Sequence, residues 1–238
     1  MTLPPAAPWP NHPQWKALTD HEQFTINDHL YVTEVVDAGT LILPSGRLVV
    51  CDPFAAMRQQ GNPELSLPIG NYPVKITCAD VSGAGDGSDI REAYASLLLS
   101  SEPESCRRVL TPLVPGQIAP DLAPDEDSGV PVDAGTVCFV DAAALQYGMP
   151  DEQTWYADVF DNGKTTAWFA RMDDPNLIRD GIANSVLPFA TDGANIVLFH
   201  SGWGDGIYPI IGGYSAQGNL VAVHVDLMVI PDAIDAQT

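Results

Sequence analysis

Hydrophobic and polar positions alternate over much of the chain with a period of two, which is the signature of half-buried strands. Residues 30–36 ("LYVTEVV") open this pattern, and "TLILPSGRLVVCDPF" reads as strand, turn, strand around Pro44, Ser45 and Gly46. "NYPVKITCADV" is a further strand entered from "PIG", and "EAYASLLLS" with "RRVLTPLV" forms a candidate strand pair. "VPVDAGTVCFVD" and "GANIVLFHSG" are apolar enough for buried strands, and "GIYPIIGGYSAQGNLVAVHVDLMVI" predicts strand, turn at 216–219, strand.

Helical signals are few. "DAAALQYG" has Asp141 as a candidate N-cap and Gly148 as a stop, and "DEQTWYADVFDNG" carries acidic residues in its first turn and Gly163 beyond its end. The sum is a mainly β (α+β) chain: an antiparallel sandwich or rolled sheet of about ten short strands with two or three helical insertions. Strand and helix do not alternate regularly, which argues against a doubly wound parallel sheet. Residues 1–29 are expected to form a proline-rich arm with a short helix around "HPQWKALTD". Residues 30–238 are expected to form a single β-rich domain, with an acidic loop near 115–131 and a helical insertion near 141–190.

Charge changes the picture most. Ten Lys and Arg face 31 Asp and Glu among 238 residues, a formal net charge of -21. Such a surface repels nucleic-acid phosphates and anionic membranes and favours a basic protein as partner. Solubility alone is the simpler reading of the same excess. The N-terminus shows no basic region followed by an apolar stretch, and no apolar run reaches the length of a membrane span, so a soluble cytoplasmic protein is expected. Cys51, Cys78, Cys106 and Cys138 are widely spaced without a Cys-x-x-Cys pair, which argues against a zinc ribbon or thioredoxin motif; the apolar runs around Cys51 and Cys138 predict buried free thiols, and one structural disulfide is the alternative that a cytosolic setting disfavours. No cofactor is expected, and the oligomeric state is open.

The run "SGWGDG" (201–206) alternates glycine with Trp203 and Asp205. It is either a corner where chain crowds chain or a loop whose amides meet a ligand. A phosphate loop is excluded, because the glycine spacing is wrong and no basic residue lies within the segment. "LPSGRLVVCDPF", "PIGNYPVKI", "VDAGTVCFVD" and "GANIVLFHSGWGDGIYPIIGGYSAQGNLVAVHVDL" occur in this order. Taken together they resemble the bacterial proteins grouped as domain-of-unknown-function family 4241, over roughly residues 38–230. The resemblance implies no activity. It places Gly46, Arg47, Asp52 and Pro53 in one motif, Asp133, Gly135 and Asp141 in a second, and residues 202–206 in a third. The chain departs from that pattern at His200, where serine is more usual, and over residues 151–192.

Three constellations follow. Asp133 and Asp205, with Arg47 as an anion contact, would serve as the carboxylates of a hydrolase if the fold gathered them. Otherwise each caps its own turn. His200, His224 and Asp226 can be drawn as a metal site, since residues two apart in a strand share a face. Isolated histidines more often satisfy local hydrogen bonds. Trp203, Asp205, Asp52, Trp155, Tyr156 and Asp158 combine aromatic and acidic character, which suits an interface with a basic protein, while the aromatic residues equally suit core anchoring. The leading expectation is a protein-binding module, in concrete form a bacterial immunity protein neutralising a cationic toxin. The hydrolase is the alternative.

Overall fold

The computed structural model describes residues 14–56, 61–117, 129–151 and 153–231. Residues 1–13 of the expected arm and most of the expected acidic loop lie outside them. The strands, in chain order, are β1 (Gln23–Ile26), β2 (His29–Leu43), β3 (Arg47–Cys51), β4 (Glu64–Ser66), β5 (Gly70–Asp80), β6 (Ile90–Leu98) and β7 (Cys106–Val109). There follow β8 (Val130–Val132), β9 (Thr136–Asp141), β10 (Ile182–Val186), β11 (Asn195–His200), β12 (Gly206–Tyr208), β13 (Ile210–Tyr214) and β14 (Leu220–Asp226). Helices are short: α1 (Pro53–Ala56), α2 (Ala142–Gly148), α3 (Trp168–Met172) and a π-helical turn at Tyr156–Phe160. The fold is therefore mainly β with a few short helices, as expected, and its described strands number fourteen rather than about ten.

Every pairing is antiparallel. One sheet has seven strands in the order β1-β2-β5-β6-β14-β13-β7, a second has five in the order β10-β11-β9-β3-β4, and β8 pairs with β12. The five-stranded sheet is apolar on both faces, and the period of two shows why. In β9, Val137 and Phe139 point to the core shared with the larger sheet, while Cys138 and Val140 point to the helical layer. Val197 and Phe199 of β11 alternate in the same way with Ile196 and Leu198. Phe139 and Phe199 meet edge to face at 5.3 Å between ring centroids and are fully buried. On the other face, Phe54, Trp155, Phe160 and Trp168 pack together, with Phe160 4.8 Å from both Phe54 and Trp168.

Two local readings need correction. Residues 14–22 hold turns rather than the expected helix; Trp15 lies instead on the larger sheet, 4.8 Å from Tyr94 and 5.4 Å from His224. "EAYASLLLS" and "RRVLTPLV" do not pair with each other. The first becomes β6, which lies between β5 and β14, and the second gives β7, which pairs with β13. Ala95 opposite Val225 and Ala222 opposite Leu98 knit a more apolar β6–β14 seam than Arg107 and Arg108 would. No helix among the described residues is long and apolar enough to cross a membrane.

Candidate functional site

The glycine run is the crossover between the two sheets. The chain leaves the five-stranded sheet at His200 and enters the seven-stranded sheet at Ile210. Gly202 sits at φ +68, and a Cβ there would come within 2.5 Å of Val229 Cγ2, 2.9 Å of Glu92 O and 3.3 Å of Leu227 O. The turn is closed by Ser201 Oγ and Tyr208 OH, which both donate to Gly204 O, at 2.6 and 2.8 Å. Asp205 lies at the surface instead of capping it. Trp203 is 56% exposed, with the Arg91 guanidinium 5.0 Å from its ring centre.

The motif aspartates divide between two ends of the five-stranded sheet. At one end Asp52, 2% exposed, accepts from Phe54 N at 2.8 Å and from Asp133 N and Ala134 N at 3.0 Å each. The β8–β12 ladder ends at Val132 opposite Gly206, so Asp133 and Asp205 each adjoin its last pair, and both are exposed. At the other end Asp141 caps α2, and Arg47 is 3.4 Å from Glu64. Arg47 thus stands at the far end of β3 from Asp52 and from the 133–134 amides that Asp52 holds.

The histidines occupy different sheets. His224 is fully buried in β14; its Nδ1 lies 2.8 Å from Ser96 Oγ and its Nε2 2.7 Å from Glu104 Oε1. Arg107 Nε donates to the other oxygen of Glu104 at 3.0 Å. Burial works to raise the Glu104 pKa, but the His224 hydrogen bond and charge and the Arg107 guanidinium hold it below the usual value. Beside Glu104 lies a cavity of about 310 Å³, whose walls include Ala17, Leu18, Leu98, Val221 and Glu102. Ser, His and Glu in a hydrogen-bonded chain have the composition of a hydrolytic triad. Ser96, however, is fully buried in mid-strand, in a ladder with neighbours on both sides, so no free amide pair there can cradle an oxyanion. The chain acts as a clamp between the sheet and the segment that carries Glu104.

His200 ends β11 at the surface, near the buried Glu92. A Cβ on Gly181 would lie 2.5 Å from Glu92 Oε1 and 2.8 Å from His200 Nδ1, so Gly181 alone leaves room for both. Cross-strand register sets Glu34, Cys78 and Glu92 in one row across β2, β5 and β6, and Arg179 bonds Glu34 at 2.6 Å. Burial raises the Glu92 pKa against the attraction of His200 and Arg179. A folded-state pKa above the unfolded one supplies stability that is complete below the ordinary carboxylate range and is lost as pH rises through the raised value. Glu92→Gln is therefore expected to gain on the wild type as pH rises out of the ordinary carboxylate range, measured by urea unfolding at each pH. A difference between the two that does not change with pH would remove this account.

His200 and His224 are thus not brought together, and the described residues contain no group of three or more His, Cys, Asp or Glu able to hold a metal ion. Of the aromatic–acidic set, Trp155 is 3% exposed and anchors the core, whereas Tyr156 is 47% exposed and Asp158 lies beside it on the surface. Sequence reasoning missed Glu92, Ser96 and Glu104. For Glu92 and Ser96 the available signal was polar residues interrupting the largely apolar run of β6; Glu104 lies outside the strands and had no such signal. Neither a curated protein nor a solved structure matches the chain. The family described as "Protein of unknown function (DUF4241)" matches residues 41–225, more than half of the chain and all three motifs, and the chain belongs to that family.

Proposed function

We propose that the protein is an acidic binding module for a basic protein partner, acting in the cytoplasm as an immunity protein against a cationic toxin. In our reading the two large sheets form a sandwich that holds the helical layer as a docking face. The observation that carries this is an unneutralised carboxylate surface set with exposed aromatic rings. Among the described residues, Lys16, Arg47, Lys75, Arg91, Arg107 and Arg179 are matched to Glu22, Glu64, Asp37, Asp89, Glu104 and Glu34. Six of the ten basic residues are taken up in these pairs, and the remaining four cannot match the other 25 of the 31 acidic residues one for one. One stretch of chain, 147–161, presents Tyr147, Asp151, Tyr156, Asp158 and Asp161 to solvent. Phe189, 59% exposed, and Asp192 join it: Phe189 N donates to Gly148 O at 2.9 Å, and Tyr147 OH to Asp192 at 2.6 Å. Rings of this kind supply contact area, and the surrounding carboxylates steer a basic surface toward them.

The test is capture of a basic partner from a bacterial lysate, followed by titration of the pair. Affinity is expected to fall by about tenfold or more between about 0.05 M and about 0.5 M salt. Tyr156→Ala is expected to weaken binding by about tenfold, measured at a temperature where the variant is still fully folded, since its ring also packs against Phe54 and Phe160. Affinity independent of salt would end this reading. The hydrolase alternative has one supporting observation, the position of Asp133 and Asp205 next to the same end pair of the β8–β12 ladder. Hydrolysis of a model ester or phosphoester that disappears in the Asp133→Asn, Asp205→Asn double variant would favour it.

A further inference from the structure

Cys51 ends β3, and the β3–β9 register sets it directly opposite Cys138. Opposed residues in antiparallel strands have Cα atoms about 4.5–5.5 Å apart, inside the window of about 4.4–6.8 Å over which a disulfide closes. The two Sγ atoms already lie 3.5 Å apart, and both thiols are free. Both side chains face the helical layer. Cys138 is fully buried, while Cys51 is half-buried at the margin of the same cluster. The remaining thiols lack this arrangement: Cys78 is buried in the core between the sheets and Cys106 is exposed on the edge strand β7.

The geometry points to Cys51 and Cys138 as a dithiol modification site that a peroxide converts to an intrachain disulfide. Burial and the contact with Cys51 push the Cys138 thiol well up, so Cys51, which reaches solvent, is the entering nucleophile. Its thiolate sulfur attacks one peroxide oxygen, the O–O bond breaks, and the departing hydroxide takes a proton to become water. The resulting Cys51 sulfenic acid lies against Cys138. The Cys138 sulfur attacks the Cys51 sulfur, the S–O bond breaks, and the hydroxyl leaves as a second water with the Cys138 proton. Two thiols and one hydrogen peroxide thus give one disulfide and two waters: the sulfurs are oxidised and both peroxide oxygens reduced. The bridge joins residues 87 apart in the chain. It would fasten β3 to β9 beside Asp52, which holds the 133–134 amides, and near Phe54 of the aromatic cluster.

The experiment uses the full chain carrying Cys106→Ser, which removes the exposed thiol able to link two molecules. After one equivalent of hydrogen peroxide, the intact mass is expected to fall by two hydrogens. Peptide mapping should join the segments holding residues 51 and 138, and the melting temperature should rise by several degrees and return on reduction. Adding Cys138→Ala should leave a Cys51 sulfenic acid that a 1,3-dicarbonyl probe traps, whereas the parent should give little adduct. If that variant does not fold, Cys51→Ser supplies the same test from the exposed side, with no crosslink and no probe adduct at Cys138. Over-oxidised Cys51 beside an intact Cys138 thiol, or a folded parent with no joined peptide, would overturn the assignment.

Discussion

Gly202→Ala is expected to lower stability by about 3 kcal/mol or more, and Gly204→Ala by only about 1–2 kcal/mol. Both glycines hold positive φ, +68 and +102, so each substitution carries the left-handed strain of an L residue. They differ in what surrounds them. No atom lies within 4 Å of a Cβ on Gly204, whereas one on Gly202 meets a valine methyl and two backbone carbonyls. The methyl of Val229 can turn away. The carbonyls of Glu92 and Leu227 belong to backbone in and just beyond the seven-stranded sheet and cannot move without disturbing it. Overpacking of that kind adds about 1–3 kcal/mol to the strain. Urea unfolding of both variants measures the difference through the shift in midpoint at constant slope. Equal losses would mean that the crossover is not crowded and that its glycines serve something other than close passage of chain over chain.

That contrast marks what the sequence could and could not show. The apolar runs of β5, β11 and β14 were legible because alternation and burial act locally, as were the Asp141 cap and the turn at 216–219. The pairing of those runs was not. "LPSGRLVV" has the form of a hairpin, but β2 pairs with β5 while β3 turns into the other sheet and pairs with β9. Leu48 meets Asp141 there, a contact that nothing near Leu48 encodes. Expected strand count suffered similarly: β10 is a five-residue edge within a stretch read as helical insertion, and its partly polar "IANSV" carries little pattern. The candidate site was legible only as residue types. An aspartate at a strand end looks the same whether its carboxylate is spent on backbone amides, as with Asp52, or open to solvent, as with Asp133 and Asp205. The acidic surface is the exception, because a charge excess of this size cannot be buried and must remain at the exterior.

Asp141→Ala is expected to cost about 2–4 kcal/mol, although the residue stands in the same motif as the exposed Asp133. Asp141 is fully buried. Its Oδ1 accepts from Ala143 N at 2.9 Å and Ala144 N at 3.0 Å, which caps α2. Its Oδ2 accepts from Ser45 N at 2.9 Å, and the Ser45 hydroxyl lies 2.8 Å from both oxygens. One carboxylate therefore holds the turn between β2 and β3 to the start of a helix 96 residues further along the chain. Loss of the cap costs about 1 kcal/mol, and the Ser45 amide and hydroxyl left without an acceptor cost about 1–3 kcal/mol more. Asp141→Asn separates these contributions. It keeps the cap through its carbonyl oxygen but turns an NH₂ toward the Ser45 amide, for a loss of about 1–2 kcal/mol. Asp133→Ala, at an exposed position, should stay within about 0.5 kcal/mol of the wild type. Chemical unfolding of the three variants decides the matter. An Asp141→Ala loss no larger than that of Asp133→Ala would leave the buried clasp without energetic content, and Asp141 would then need a role other than holding the β2–β3 turn to the start of α2.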